Sequence, residues 1–428
     1  MPLFAEELTK TVLESDCLTE APDRWLMRIP ISLNIPATLQ DSLMARLDRL
    51  GWVKELAQLA AAVGREFSRA VIARVSELSP TRLDSGLKRL VKSELVLRRS
   101  AATYAFKHAL VQDAAYASIL YSKRRELNRR IAAVLELQFP EIAETQPETI
   151  AHHLSEAQIY EPAIRWWRRA GQRNVHASAN VEAISHFERC LGLLTKVPAG
   201  QERDQIELDI RIDLGVPLMG TSGYTAPEFR DNVDRALELC ERVGEHARLF
   251  PALWGQVART FSAGEIVAAL GMAERFLQSA ERQDNRQLCM IGHRLCGMTL
   301  FGRGSLLAAR QHTERALQLY DAEKDAHLRD IYGFDQRVAA LAYLGRTLHQ
   351  LGFPDQAMRM SERAIAEARS FDHVTRQSTP RAASWNCRSC AERRRRLQMP
   401  PPSLRAWLRG TPYRTISWYR SPAIISWH

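Results

Sequence analysis

Long apolar runs are missing from this chain. Stretches such as Leu59-Ala-Ala-Ala-Val63 fall far short of the roughly 20 residues that span a bilayer. The first residues carry Glu6 and Glu7 and lack the basic-then-apolar order of a leader, so no signal peptide is expected. Cysteine is sparse. Seven, an odd number scattered over 428 residues, exclude a disulfide framework and suit a reducing cytoplasm. No Gly-x4-Gly-Lys-(Ser/Thr) string occurs, and no acidic strand follows one to hold Mg²⁺. The backbone amides and lysine of that loop cradle and neutralise nucleotide phosphates, so ATP hydrolysis is not expected of this polypeptide.

Basic charge is also missing from most of the chain. The formal charge of +10 invites a nucleic-acid reading. Yet Val374–His428 holds eleven arginines, no lysine and a single acid, Glu392, so residues 1–373 are neutral. The same tail holds Trp385, Trp407, Trp418, Trp427, six prolines and Arg393-Arg-Arg-Arg396 without helical period. Residues 373–428 are therefore expected to be disordered or translated out of frame, with a basic-aromatic tail for nucleic acid or membrane as the alternative.

What is present is helical pattern. A chain of 428 residues is too long for one core and suggests two or three domains. Residues 1–34 read as a short helix, Leu3 to about Glu14, then an extended, proline-bearing segment too small for a core. Residues 35–106 read as a winged helix-turn-helix. Thr38 is a candidate N-cap, Leu39, Leu43, Leu47 and Leu50 keep helical spacing, and Trp52 to Val63 forms a second apolar helix. Ser68 and Ser79-Pro80 open two more, the latter with Leu83, Leu87, Leu90 and Val91 inward. Leu95-Val-Leu97 and Tyr104-Ala-Phe106 then make a hairpin. Residues 107–145 form a helical linker whose second helix sets Leu127, Ile131, Val134, Leu135 and Leu137 on one side.

A repeat occupies residues 146–372. Gly-x4-Ala-x4-Glu-Arg-(Ala/Phe) recurs at Gly264, Gly304 and Gly352, with fainter copies around Ala183 and Phe229. Its acidic position recurs at 188, 234, 274, 314 and 362, steps of 46, 40, 40 and 48, each fitting a helical hairpin plus a loop. The glycine should end one helix, and the alanine should let the next approach closely. The Glu-Arg pair should face solvent. The fold class is thus mainly α: a winged helix, then an α-solenoid of tetratricopeptide-like hairpins.

These residues resemble the C-terminal part of bacterial STAND-type signalling ATPases linked to class III adenylate/guanylate cyclases. The resemblance covers about residues 2–372. Pro2-Leu-Phe-Ala-Glu-Glu-Leu8 is similar to the end of that family's nucleotide-binding module, and Ile35 to Leu50 to the entry of its winged helix. Phe106-Lys-His-Ala-Leu-Val-Gln-Asp-Ala-Ala-Tyr116 carries the most specific likeness. It also resembles the Met-His-Asp motif, whose histidine contacts the β-phosphate of bound ADP; Ala109 stands where that motif has aspartate. The resemblance implies that His108 senses nucleotide phosphate in a full-length parent; without the nucleotide module the residue reads as structural, a cap or a core-packing histidine. It implies ATP or ADP as a cofactor of the parent and none for this chain, which lacks the nucleotide module. It also implies a protein or peptide partner on the repeats.

Other candidates are weaker. Cys387 and Cys390 have no second pair at zinc spacing, and His373 is at most a third ligand. Cys289 and Cys296 read as packing residues. One of His152 and His153 should be interior. Asn180, Arg230 and Asn232 are candidates for the partner surface. Arg82, Lys88, Arg89 and Lys92 lie on the helix that would read DNA, with Arg98 and Arg99 nearby, while Asp84 and Glu94 dilute the patch. Two functions follow: a non-catalytic interaction and regulatory chain, or a transcription regulator with a repeat sensor.

Overall fold

The structure, a computed structural model, describes residues 18–21, 24–27, 39–244 and 246–370. The expected helix at Leu3, the Thr38 cap, the Cys387 pair and the basic tail lie outside the described residues. The chain divides into two compact units, Met1–Trp167 and Arg168–His428.

The first unit opens with a short antiparallel ladder, β1 (Leu18–Ala21) and β2 (Arg24–Met27). Helices α1 (Leu39–Arg49) and α2 (Val53–Val63) follow. The leucine row of α1 works as its spacing predicts, with Leu43 and Leu47 fully buried. Ser68 accepts the Ala70 amide at 3.1 Å to cap α3 (Arg69–Val75), and Ser79 caps α4 (Pro80–Lys92) with proline in the first turn. The hairpin is β4 (Val96–Arg98) and β5 (Thr103–Phe106). A third strand, β3 (Glu66–Ser68), pairs with β5 as well, giving the order β3-β5-β4. Its three residues carry too little alternation to be read from sequence.

Helices α5 (Ala109–Ala117), α6 (Tyr121–Gln138), α7 (Pro140–Thr145) and α8 (Pro147–Glu156) complete the unit. They dock on α2 and α3. Gln112 donates to the Ala61 carbonyl at 3.2 Å and Arg130 to the Val75 carbonyl at 2.6 Å. On α6 the buried face is Asn128, Ile131, Ala132 and Leu135. Leu137, expected on that face, is 80% exposed. Two positions past Leu135 lies on the opposite side of a 3.6-residue turn.

Helix α9 (Tyr160–His176) carries the division between the units. Then come α10 (Asn180–Leu194), α11 (Gln201–Ser222), α12 (Pro227–Val243), α13 (His246–Ser262), α14 (Ile266–Arg282), α15 (Arg286–Arg303) and α16 (Leu306–Leu319). Short α17 (Ala322–Asp325) and α18 (Leu328–Tyr332) precede α19 (Gln336–Gln350) and α20 (Pro354–Ser370). The repeat pattern builds the hairpins as expected. Gly264, Gly304 and Gly352 adopt φ of +85, +85 and +87°, the left-handed turn open to glycine. Ala269, Ala309 and Ala357 are fully buried, as are Phe276, Ala316 and Ala364 seven positions on, within about 1% exposure.

The close approach has a second side. A Cβ on Gly345 of α19 would lie 2.8 Å from Ser361 Oγ and 3.2 Å from the Ala357 carbonyl. One on Gly297 of α15 would overlap Thr313 Oγ1. The seam is thus glycine against alanine and a small hydroxyl residue. Gly297→Val should lower the urea-unfolding stability of this unit by about 2 kcal/mol through overpacking, whereas exposed Glu362→Ala should stay within about 0.5 kcal/mol.

Candidate functional site

His108 sits at the junction of β5 and α5, as the N-cap residue of α5 with extended backbone. It is half-buried, and its side chain makes no capping bond. Its Nε2 is enclosed without a hydrogen-bond partner. Asp113, five residues on, is exposed.

The polar centre of this region lies beyond it, where α5, α6 and α8 meet. His153 on α8 is 1% exposed, while His152 is exposed, which settles the interior member of the pair. His153 Nδ1 bonds Asn128 Oδ1 at 2.8 Å, Asn128 Nδ2 donates to Tyr116 Oη at 3.1 Å, and Tyr116 Oη donates to Glu156 at 3.2 Å. The network ties α5, α6 and α8 together. Burial, with a smaller push from His152, lowers the His153 pKa to about 3. The imidazole is therefore neutral in the fold and returns to about 6.5 when unfolded. Its contribution to stability is complete above that value and is lost as pH falls below it, at up to about 1.4 kcal/mol per pH unit. Unfolding of the wild type between pH 6.5 and pH 4 should steepen accordingly, and His153→Asn should flatten that dependence.

Basic residues also gather on the first unit. A cavity of about 300 Å³ is lined by Arg46, Arg49, Arg89 and Lys92, with Arg46 Nη2 on the Ser93 carbonyl at 2.7 Å. On α4 the cations are only partly available. Arg82 stacks over Trp52 at 4.8 Å. Asp84 is held by Arg69 at 2.7 and 3.0 Å, and that bond lowers its pKa. Lys107 reaches Glu94 at 3.4 Å.

In the second unit the sequence candidates separate. Asn232 is buried on α12, its Nδ2 donating to the Arg211 carbonyl at 2.8 Å and its Oδ1 unpartnered. It lines a cavity of about 40 Å³ with Arg211, Phe229, Trp254 and Ile331. Asn180 packs at α11, where a Cβ on Gly220 would lie 2.6 Å from its Nδ2. Arg230 is exposed and bonds its neighbour Asp231. One Glu-Arg-type pair departs from the expected solvated role. Arg235 grips buried Glu207 of α11 with two bonds of 2.9 Å, and this drives the Glu207 pKa down against its burial.

The residues that sequence reading missed lie between α16 and α19. Residues 320–335 form a strap. Tyr320 Oη donates to Asp335 at 2.8 Å and ties its ends. Asp325, 2% exposed, takes two bonds from Arg286, at 2.9 and 2.5 Å, one from Gln287 at 2.8 Å and the Asp321 amide at 2.8 Å. Burial would raise its pKa, but these bonds outweigh it and hold it low. From that anchor the strap crosses the first helices of the hairpins. Gly333 lies against Met219 and Val216 of α11, Tyr332 and Phe334 against Trp254 of α13, and Phe334 against Arg294 of α15. Asp330 reaches His176 at 3.6 Å. The signal was present in the sequence as the step of 48 between repeats, against 40 in the two preceding steps.

No family model matches the chain. A curated relative, an uncharacterized protein of Rhizobium meliloti (strain 1021), is 24% identical over 381 residues, covering 87% of this chain and 36% of that protein. The chain thus spans about a third of the relative it matches. Among solved structures, the Rap conjugation regulator of plasmid pLS20 with its Phr* peptide is 14% identical, covering 80% of this chain and 85% of that one, at a TM-score of 0.44. NprR with its cognate peptide NprX is 12% identical, covering 86% and 88%, at 0.42. A STAND protein with a tetratricopeptide repeat sensor from Pyrococcus horikoshii is 13% identical, covering 77% and 53%, at 0.34. These scores are low, and the account of the fold rests on the chain's own hairpins.

Removing the strap's anchor should free it. Asp325→Ala should lower the local opening free energy of residues 321–334 by about 2 kcal/mol, read by amide exchange, and speed proteolysis there.

Proposed function

We propose that this chain is a non-catalytic interaction and regulatory piece of a cyclase-linked signalling ATPase of the STAND type. Its repeats bind a protein or peptide partner. Residues 35–106 act as a winged helix that works as a lever, and residues 107–145 couple it to the solenoid. The setting is cytoplasmic. In a full-length parent His108 senses the phosphate of bound ADP; this chain needs no cofactor. The observation that carries the interaction reading is the strap: the chain invests sixteen residues, 320–335, in covering the first helices of its hairpins, the face a solenoid offers to partners. His108 is supported by its enclosed, unpartnered Nε2 at a strand-to-helix junction.

The alternative is a transcription regulator that reads DNA through α4. It is favoured by the cavity lined by Arg46, Arg49, Arg89 and Lys92. Both readings face one experiment on the purified chain. An array of short peptides should yield binders whose affinity falls about tenfold in Ile331→Arg, on the strap, and is unchanged in Leu137→Arg, on α6. Duplex DNA at physiological salt should give no gel shift. An array without binders, together with a shift abolished by Lys88→Glu/Arg89→Glu, would replace the interaction reading with the DNA one.

A further inference from the structure

Arg294, on α15, is 2% exposed. A guanidinium stays charged even when burial pushes its pKa down, as it does here. Burying such a charge costs several kcal/mol unless an anion accompanies it. None does. Its Nε and Nη2 are enclosed and have no hydrogen-bond partner among the described residues. Its Cζ lies 5.5 Å from the centroid of Phe334. That contact engages the face of the guanidinium and leaves its Nε and Nη2 donors unmet.

A second orphan lies in the same cluster. Trp254 Nε1 is also enclosed without a partner, and the Trp254 ring is 5.8 Å from the same Phe334. Both residues therefore touch one ring of the strap, and every unmet group they bring is a donor. The strap's acids at 325, 330 and 335 are already engaged. Asp335 receives the Arg337 and Val338 amides and Tyr320, Asp325 receives Arg286, and Asp330 faces His176. Tyr224, Tyr332 and Tyr343 supply no negative charge, because burial pushes each hydroxyl's pKa up. Gln336 Oε1 is an unpaired acceptor two residues beyond Phe334, yet it bonds neither donor. A cavity of about 40 Å³ lies on another side of Trp254, next to Ile331.

We propose that Arg294 and Trp254 form a carboxylate-binding subsite on the inner face of the repeats, covered by Phe334 of the strap and filled by a carboxylate of the peptide partner. This rests on the interaction reading above and gives that partner's chemistry. The guanidinium supplies charge-assisted donors, Trp254 a further N–H, and the aromatic rings Tyr332 and Phe334 the apolar walls. Phe334 turns aside when the anion enters, and the strap's ends remain tied through Tyr320 and Asp335.

The test uses the full chain and three peptides: acetyl-Gly-Gly-Phe with a free carboxylate, the same peptide amidated, and acetyl-Gly-Glu-Phe amidated. Thermal midpoints are compared at equal ionic strength. The free acid, the glutamyl amide or both should raise the midpoint, and the plain amide should not; which acid acts identifies a terminal or a side-chain source. Arg294→Met should abolish the response. Its own midpoint without peptide should match or exceed the wild type, because an unpaired buried charge has been removed. Trp254→Phe keeps a ring and loses the N–H, and should weaken the response several-fold; it decides the matter if Arg294→Met does not fold. Equal responses to acid and amide, no response to either acid, or a response that survives both substitutions would overturn the subsite. Array peptides that bind Arg294→Met as tightly as wild type would sink this subsite alone and leave the interaction reading standing.

Discussion

The solenoid depends on how near two helices of one hairpin can come. At Gly297 and Gly345 there is no room for a methyl group, since Thr313, Ser361 and Ala357 already occupy the space. The glycine seven residues further on, Gly304 or Gly352, reverses the chain in the left-handed region. Five residues later a fully buried alanine meets the first helix. Three small residues thus fix the separation, the turn and the register of a hairpin. Larger side chains then settle between hairpins. Phe250 and Phe276 meet edge to face at 4.9 Å, and one core runs from Phe250 through Met290 and Leu295 to Tyr332. No hairpin encloses its own apolar face, so stability is shared along the stack.

That sharing explains why the strap can exist. A long connection between hairpins would ordinarily lie on the surface as a loop. Here it is pinned by a buried carboxylate, Asp325, with four bonds, and by the Tyr320–Asp335 tie. Asp335 does double duty, since it also caps α19 through the Arg337 and Val338 amides. The strap is therefore built into the start of the last hairpin. Its apolar members Leu328 and Tyr332 join the common core, while Ile331 stays exposed. Burial on one side and solvent on the other is the arrangement of a cover.

Legibility followed residue chemistry. The hairpins were readable because glycine and alanine leave a period that charged surface residues do not blur. The helices of the first unit were readable because Ser68 and Ser79-Pro80 announce their starts. Strand β3 was not, because three residues cannot show a period of two. Leu137 misled because hydrophobicity was counted without strict spacing. Arg235, at a repeat position expected to face solvent, is joined to Glu207 only by the approach of α11 to α12. Arg294 was the hardest to see. An arginine in a helix reads as solvent-facing, and nothing local says that Phe334, forty residues away, will close over it. The one hint was arithmetic, the longer step to the last repeat.

The balance of charge bears on which partner such a fold suits. In the first unit, cations are drawn into the structure: Arg69 holds Asp84, Arg82 lies on Trp52, and Arg46 and Arg130 serve carbonyls of Ser93 and Val75. A surface that reads phosphates through counterion release needs its cations outside and uncommitted. The second unit also engages its cations. Arg168 bridges Asp209 and Asp213, Arg235 holds Glu207, and Arg286 holds Asp325, whereas Arg294 has no acid among the described residues. Among the described arginines of this unit Arg294 alone is fully buried, which is why the proposed partner carboxylate is placed against it.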